Sequence, residues 1–521
     1  MSFSHLLISA LLGFTVSPAL TAQGFEHHKL LPTNGVASAL FGSAVATDGV
    51  LIAIGAAGAN QLGATSGSAY VFDATNANQI VELIPATGAP GDQLGTAIAI
   101  DDGFVVVGAP FADGVGTDSG AAYVFDATSG LELFKLEPAD AAAGNQFGYS
   151  VAMDGNLAVV GTLGAAYLFD VSTGQELVKL LPTGASTTFG LSGFGEAVAI
   201  DAGTVVVGAR LENGVSGFAG AAYVFDASSG SQLHRLLALD GTTWANFGAS
   251  VAIDGDLVAI GAPEASPIIW HAGAAYLFDA LTGQQTLKIL PGDGHLQAKF
   301  GSSVDVDGLH VVIGSEKNNA SGAFSSGAAY LFEAPGGNFV QKLQASDAAP
   351  HDRLGGAVAA SNGVFVAGAA RDDDNGTDSG SAYVFDAAGT VTTMAQCHTN
   401  AGSLTHVGGI AVAGQTLTFR MDSAQSGTAW ALLAVATGPV PGWPNCGVNL
   451  GSTGELLIDT PLISVAAPWS GLAADFPVSL PSQSGLVGFP LYLQGVFIAP
   501  TSTPEPLRLT GGLELLLGGY R

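Results

Sequence analysis

Residues 250–290 carry a hydrophobic pattern that changes in character from one short run to the next. Ser250–Asp254 is small and apolar, and Asp254-Gly255 is a strong tight-hairpin signal. Leu257–Gly261 is apolar at nearly every position, as in a strand covered on both faces. After a variable loop comes Ala274–Asp279, and then Thr286–Leu290, where polar and apolar residues alternate so that one face meets water. Four strands are predicted, with burial falling from the first three to the fourth and small residues on the innermost, where an axis would be crowded. That gradient describes one propeller blade.

The pattern recurs. Ala-Tyr-Val/Leu-Phe-Asp/Glu appears seven times, with its tyrosine at Tyr70, Tyr123, Tyr167, Tyr223, Tyr276, Tyr330 and Tyr383. A Phe-Gly or Leu-Gly pair precedes each copy, at Phe41, Leu94, Phe147, Phe194, Phe247, Phe300 and Leu354, with intervals of 53, 53, 47, 53, 53 and 54 residues. The short interval follows from a deletion at Gly161–Tyr167, which removes the loop present in the other copies. Repeats of this length signal solenoids or propellers. An open solenoid would want polar caps at its ends, and neither end carries a distinctive one.

A closed ring has its own sequence signal. His28-Lys29-Leu30-Leu31-Pro32 looks like an outer strand, and Lys29 precedes Phe41 by 12 residues, as Lys135 precedes Phe147 and Lys288 precedes Phe300. The strand around His28–Leu31 is therefore expected to complete the last blade beside Tyr383–Asp386, in preference to the local run 389–394. Such a clasp removes an open sheet edge.

Phe-Gly, a hairpin, Gly-Ala-Pro (literal at Gly108–Pro110 and Gly261–Pro263) and then Ala-Tyr-Val-Phe resembles the FG-GAP repeat of the integrin α-subunit propeller. The resemblance spans roughly residues 27–390 and implies an all-β, seven-bladed β-propeller over residues 23–390. Residues 395–521, rich in Pro, Gly, Ser and Leu with short β-like runs, are expected to form a smaller C-terminal β-sandwich-like domain. Its two cysteines, Cys397 and Cys446, are read as a disulfide in an exported protein. Residues 1–22 read as a signal peptide, with an apolar stretch from Leu6 to Leu20 and a cleavage site near Ala22. That stretch is too short and interrupted to span a membrane.

Composition narrows the function. Charged residues make up 11% of 521, against about 25% in ordinary globular proteins, and Gly numbers 74. A formal net charge of -29 excludes the basic footprint that nucleic acid requires. Nucleophile-elbow, zinc-protease and phosphate-loop motifs are absent from the sequence.

The resemblance raises calcium, but the turns between first and second strands (Asp48-Gly49, Asp154-Gly155, Asp254-Gly255 and their counterparts) are too short to supply six ligands. Turn chemistry accounts for them better. Calcium is considered instead at the longer loop Asp372–Gly380, with Asp372, Asp374 and Asp378 as candidate ligands; the competing account is a solvated acidic loop. The adjacent His27 and His28 are expected on opposite faces of a strand. Trp270, in a variable loop, is a candidate for stacking on a sugar or a side chain, or else a loop anchor.

The function expected is a secreted or cell-surface, non-catalytic binding or adhesion module that recognises an extracellular protein or glycan through its blade loops. The rival readings are a hydrolase or lyase acting on extracellular polysaccharide through paired carboxylates, and a structural cell-envelope scaffold.

Overall fold

The computed structural model describes residues 26–185, 192–267, 269–308 and 310–386, and beyond them the backbone of strands lying between residues 391 and 516. The signal segment, Cys397 and Cys446 lie outside the described residues.

Seven four-stranded antiparallel sheets form a seven-bladed β-propeller. Six blades are continuous in sequence; the fifth, for example, comprises Ser250–Asp254, Leu257–Ala262, Ala274–Asp279 and Gln285–Ile289. Burial follows the predicted gradient, with second and third strands covered on both faces and the outer strand half wet. The Ala-Tyr-Val/Leu-Phe run is the third strand, and its tyrosine and phenylalanine, two residues apart, point to the same side of the sheet, where both are buried. In five blades the phenylalanine of the Phe-Gly pair packs edge-on against both the tyrosine and the following phenylalanine; Phe247 meets Tyr276 at 5.4 Å and Phe278 at 5.7 Å between centroids. Edge-to-face contacts of this kind add to the burial of area itself.

The two glycines of the motif meet across every blade seam. A side chain on Gly261 would overlap the carbonyl oxygen of Gly301 in the next blade, and Gly301 itself sits at φ +87. The same contact recurs between Gly368 and Gly42, the last blade and the first, so the closing seam is built like the others.

The seventh blade takes its outer strand from the N-terminus. Glu26–Leu30 pairs antiparallel with Ser381–Asp386, Lys29 opposite Tyr383. The expected clasp is present, beginning two residues earlier and ending one residue earlier than His28–Leu31. The competing run instead supplies Val391–Thr393, which pairs with the strand Leu507–Leu516.

An ionic motif recurs in four of the seven blades. An aspartate in the link before a blade accepts hydrogen bonds from that blade's tyrosine and from a lysine on its outer strand. Asp140 is held by Tyr167 at 2.8 Å and Lys179 at 2.5 Å, and Asp293 by Tyr330 and Lys342, both at 2.6 Å. In the closing blade Asp347 is held by Tyr383 at 2.8 Å and by Lys29 at 2.6 Å. Lys29 therefore performs from the far end of the chain the task other blades perform locally.

Beyond the ring, backbone strands pair into a five-stranded sheet that includes Ala429–Ala436 and Pro490–Ile498, and a three-stranded sheet that includes Thr416–Ser423. No helix among the described residues is long and apolar enough to cross a membrane.

Candidate recognition face

Strand connections divide between the two ends of the ring. Tight hairpins joining first to second and third to fourth strands lie at one end. The longer loops between second and third strands, and the links between blades, lie at the other.

The hairpin end is locked by the aspartates of the short turns. The side chain of Asp101 accepts from the Gly155 amide of the next blade at 2.7 Å, Asp201 accepts from Gly255 at 2.7 Å, and Asp254 accepts from Gly308. These carboxylates do more than shape their own turns; they join blade to blade.

At the opposite end each loop is tied to the following link by the same backbone hydrogen bond. The amide three positions before the Phe/Leu-Gly pair donates to a loop carbonyl: Gly91 to Ala64, Gly144 to Thr117, Trp244 to Gly217, Gln297 to Trp270, His351 to Phe324 and Ser38 to Thr377. The donor position requires a left-handed backbone, with φ +94 at Gly91 and +76 at Gly144. Trp244 takes the same conformation at φ +64, where a bulky residue is strained. Three consecutive junctions, from blade 4 to blade 7, thus each carry one large aromatic, Trp244, Trp270 and Phe324. The corresponding pairs Ala64/Gly91, Thr117/Gly144 and Thr377/Ser38 are small. All three aromatics are more than half exposed, at 54%, 55% and 63%.

Their neighbours fix their orientation. Trp244 stacks face to face on Phe218, with centroids 4.2 Å apart and planes at 9°. Trp270 stacks on His271 at 3.9 Å. His271 Nδ1 lies 2.7 Å from Glu264, whose other oxygen holds the Lys299 ammonium. Between the two indoles opens a cavity of about 460 Å³, lined also by Asn246, Gln297 and Lys317. Sequence reasoning singled out Trp270 and missed Trp244, whose signal was a tryptophan standing where two other copies have glycine.

The acidic loop of blade 7 is organised differently. Asp372 and Asp374 come together with Asp347, their carboxylate oxygens within 4.8 Å of one another. Asp378 stands apart, facing Arg371 at 3.9 Å. The Lys29 ammonium lies among the three, 2.6 Å from Asp347, 3.0 Å from Asp372 and in contact with Asp374. Burial opposes its charge, yet these three carboxylates raise its pKa well above the usual lysine range. Burial likewise opposes ionisation of Asp372, while hydrogen bonds from Ser381, Lys29 and Tyr383 hold its carboxyl below the usual carboxylate range. Calcium takes six to eight oxygens; as arranged, these carboxylates are partners of an ammonium that a metal ion would have to displace.

At the centre of the loop face, Glu196 binds Arg210 beside the Glu264–Lys299 pair, in a cavity of about 280 Å³ that Tyr149 and Glu316 also line. Within the channel one residue breaks the sevenfold pattern. Asp305 stands where the other inner strands carry Ala46, Ala99, Ala152, Ala199, Ala252 and Ala359. Its oxygens accept from the amides of Ala360 at 2.8 Å and Val306 at 2.9 Å. One expectation is corrected: His27 and His28 do not point apart. A register shift between Glu26 and His28 breaks the alternation, and the two rings stack at 4.2 Å.

No curated protein matches the chain. The FG-GAP repeat family matches it seven times, at residues 25–72, 77–125, 132–170, 179–225, 231–278, 284–332 and 338–385. Each match runs from the outer strand of one blade to the third strand of the next, and the first begins at the clasp. On seven matched repeats folded into seven blades, the chain belongs to the FG-GAP repeat family and resembles the propeller of the integrin α-subunit.

Proposed function

We propose that this chain is an exported, non-catalytic recognition module that engages an extracellular partner through the loop face of blades 4 to 6. FG-GAP propellers are binding scaffolds in general, and repeats of this kind are typical of extracellular proteins. One observation carries the assignment to this face: Trp244, Trp270 and Phe324 are exposed at three successive junctions, whereas the three other described junctions of this kind carry small pairs. Exposed aromatics gathered in one region mark interaction surfaces, and aromatic residues dominate the energetics of such surfaces.

Affinity capture with the secreted chain as bait tests the reading. Replacing Trp244 and Trp270 together by alanine should abolish capture without lowering the melting temperature. Capture that survives the double replacement moves recognition elsewhere, and a bait that retains nothing removes the binding function. Export itself is tested by fractionation and by an N-terminus at Gln23.

The polysaccharide-cleaving alternative draws less support. The central carboxylates Glu196 and Glu264 are both engaged by cations, the usual arrangement of structural ion pairs. The calcium reading of Asp372, Asp374 and Asp378 is a separate proposal. It requires that added calcium raise the melting temperature and a chelator lower it. The disulfide between Cys397 and Cys446, within the proposed sandwich-like C-terminal domain, is open to mass mapping with and without reduction.

A further inference from the structure

The cavity between the two indoles is lined by a cation that no carboxylate holds among the described residues. Cations are scarce in this chain, 14 Lys and Arg against 43 acids. Those near the loop face are mostly held by carboxylates: Arg210 by Glu196, Arg235 by Glu212, Lys299 by Glu264 and Lys29 by its three aspartates. Lys317 has no acidic partner within ion-pair distance among the described residues. Its backbone is fixed by a hydrogen bond from its amide to the Ala298 carbonyl, and its side chain lines the same cavity as Trp244 and Trp270. Two lysines and one glutamate give this lining a local charge of +1 in a chain of -29.

The remaining lining suits a sugar. Exposed indole faces stack on the apolar C–H face of a pyranose ring, because tryptophan presents a flat amphipathic surface. Asn246 and Gln297 bring primary amides, each able to donate to and accept from a hydroxyl group. A volume of about 460 Å³ falls within the range of small-ligand sites. The ammonium adds a preference for a carboxylate. The surrounding negative charge, in turn, disfavours a long polyanion, whose other charges would be repelled.

Resting on the recognition face assigned above, we propose that this cavity binds a single uronic acid unit within an otherwise neutral polysaccharide. The sugar ring stacks on Trp270, its carboxylate pairs with Lys317, and its hydroxyl groups meet Asn246 and Gln297.

The test is calorimetric titration of the full chain with a xylo-oligosaccharide carrying one glucuronate, and with the same compound after reduction of its carboxyl group to the alcohol. The acidic compound should bind about tenfold more tightly, the scale of one charge-assisted contact. Lys317→Met should abolish that tenfold difference, weakening the acidic compound more than the reduced one, while Trp270→Ala should weaken both. Equal affinity for the two compounds, or a Lys317→Met variant that keeps the preference, overturns the uronate assignment. So does tighter binding of a sulfated oligosaccharide. If neither sugar binds but a protein is captured in a manner dependent on Trp270, the recognition face stands and the sugar assignment falls. If nothing binds at all, both fall. Trp270 is exposed, and equal melting temperatures will show that both variants are folded.

Discussion

Asp305 is a single residue with a measurable consequence. It occupies a channel position that the other blades fill with alanine. Burial pushes its carboxyl up to about 7 from the ordinary 3.8; the amides of Ala360 and Val306 pull the other way, and the charges of Asp307 and Asp254 add to the rise. Between those two values the folded chain holds a proton that the unfolded chain has lost, so stability falls as pH rises through this window. Asp305→Asn should therefore match the parent near about pH 4 and melt higher above about pH 7. Parallel melting curves across that range would show that the carboxyl is solvated as in water. The substitution itself was legible in the sequence as one aspartate in an aligned column of alanines. Its meaning was not, because only the closed ring places that column around an axis. Trp244 is the parallel case: its identity was plain, but the loop it sits beside lies 27 residues earlier at Gly217.

Among the elements, the clasp strand Glu26–Leu30 was the most legible from spacing alone, because Lys29 keeps the interval to Phe41 that other outer strands keep to their own Phe-Gly pairs. What spacing could not reveal was the role of Lys29 among Asp347, Asp372 and Asp374. The density of acids in the candidate loop leaves open a calcium site or a solvated acidic loop; in the folded chain Asp372 and Asp374 hold the ammonium of residue 29. Lys29→Met leaves three carboxylates facing one another and should cost about 2–4 kcal/mol of stability at neutral pH, read by urea unfolding. The sign with pH follows from Asp372. Its carboxyl lies below the ordinary value in the folded chain, so its contribution is present above that value and disappears as pH falls through the folded one. The gap between parent and variant should close in acid. Equal stability at neutral pH would mean that the cluster contributes nothing to closure.

For the whole molecule, the seams decide whether seven sheets behave as one. Each seam brings two backbones together at paired glycines, and no side chain can be inserted without displacing a blade. Gly261→Ala should cost about 3 kcal/mol or more, or prevent folding, whereas Gly292→Ala, with open space around it, should stay within about 0.5 kcal/mol of the parent. A Gly261→Ala protein that melts with the parent would show that the blades tolerate separation. Heat should unfold the ring in one transition when followed by both near- and far-ultraviolet signals, since every blade leans on two others. The clasp also sets an order in time. Glu26–Leu30 leaves the ribosome early, and its partner Ser381–Asp386 emerges only after some 350 further residues have been made, about 20–70 s later at ordinary elongation rates. Through that interval it is a strand without a sheet, waiting while six blades assemble. Its sequence, Glu-His-His-Lys-Leu, suits the wait: four polar or charged residues and a single leucine give little for a neighbouring chain to pair with. The segment that must stay unpaired longest is also the one least able to aggregate.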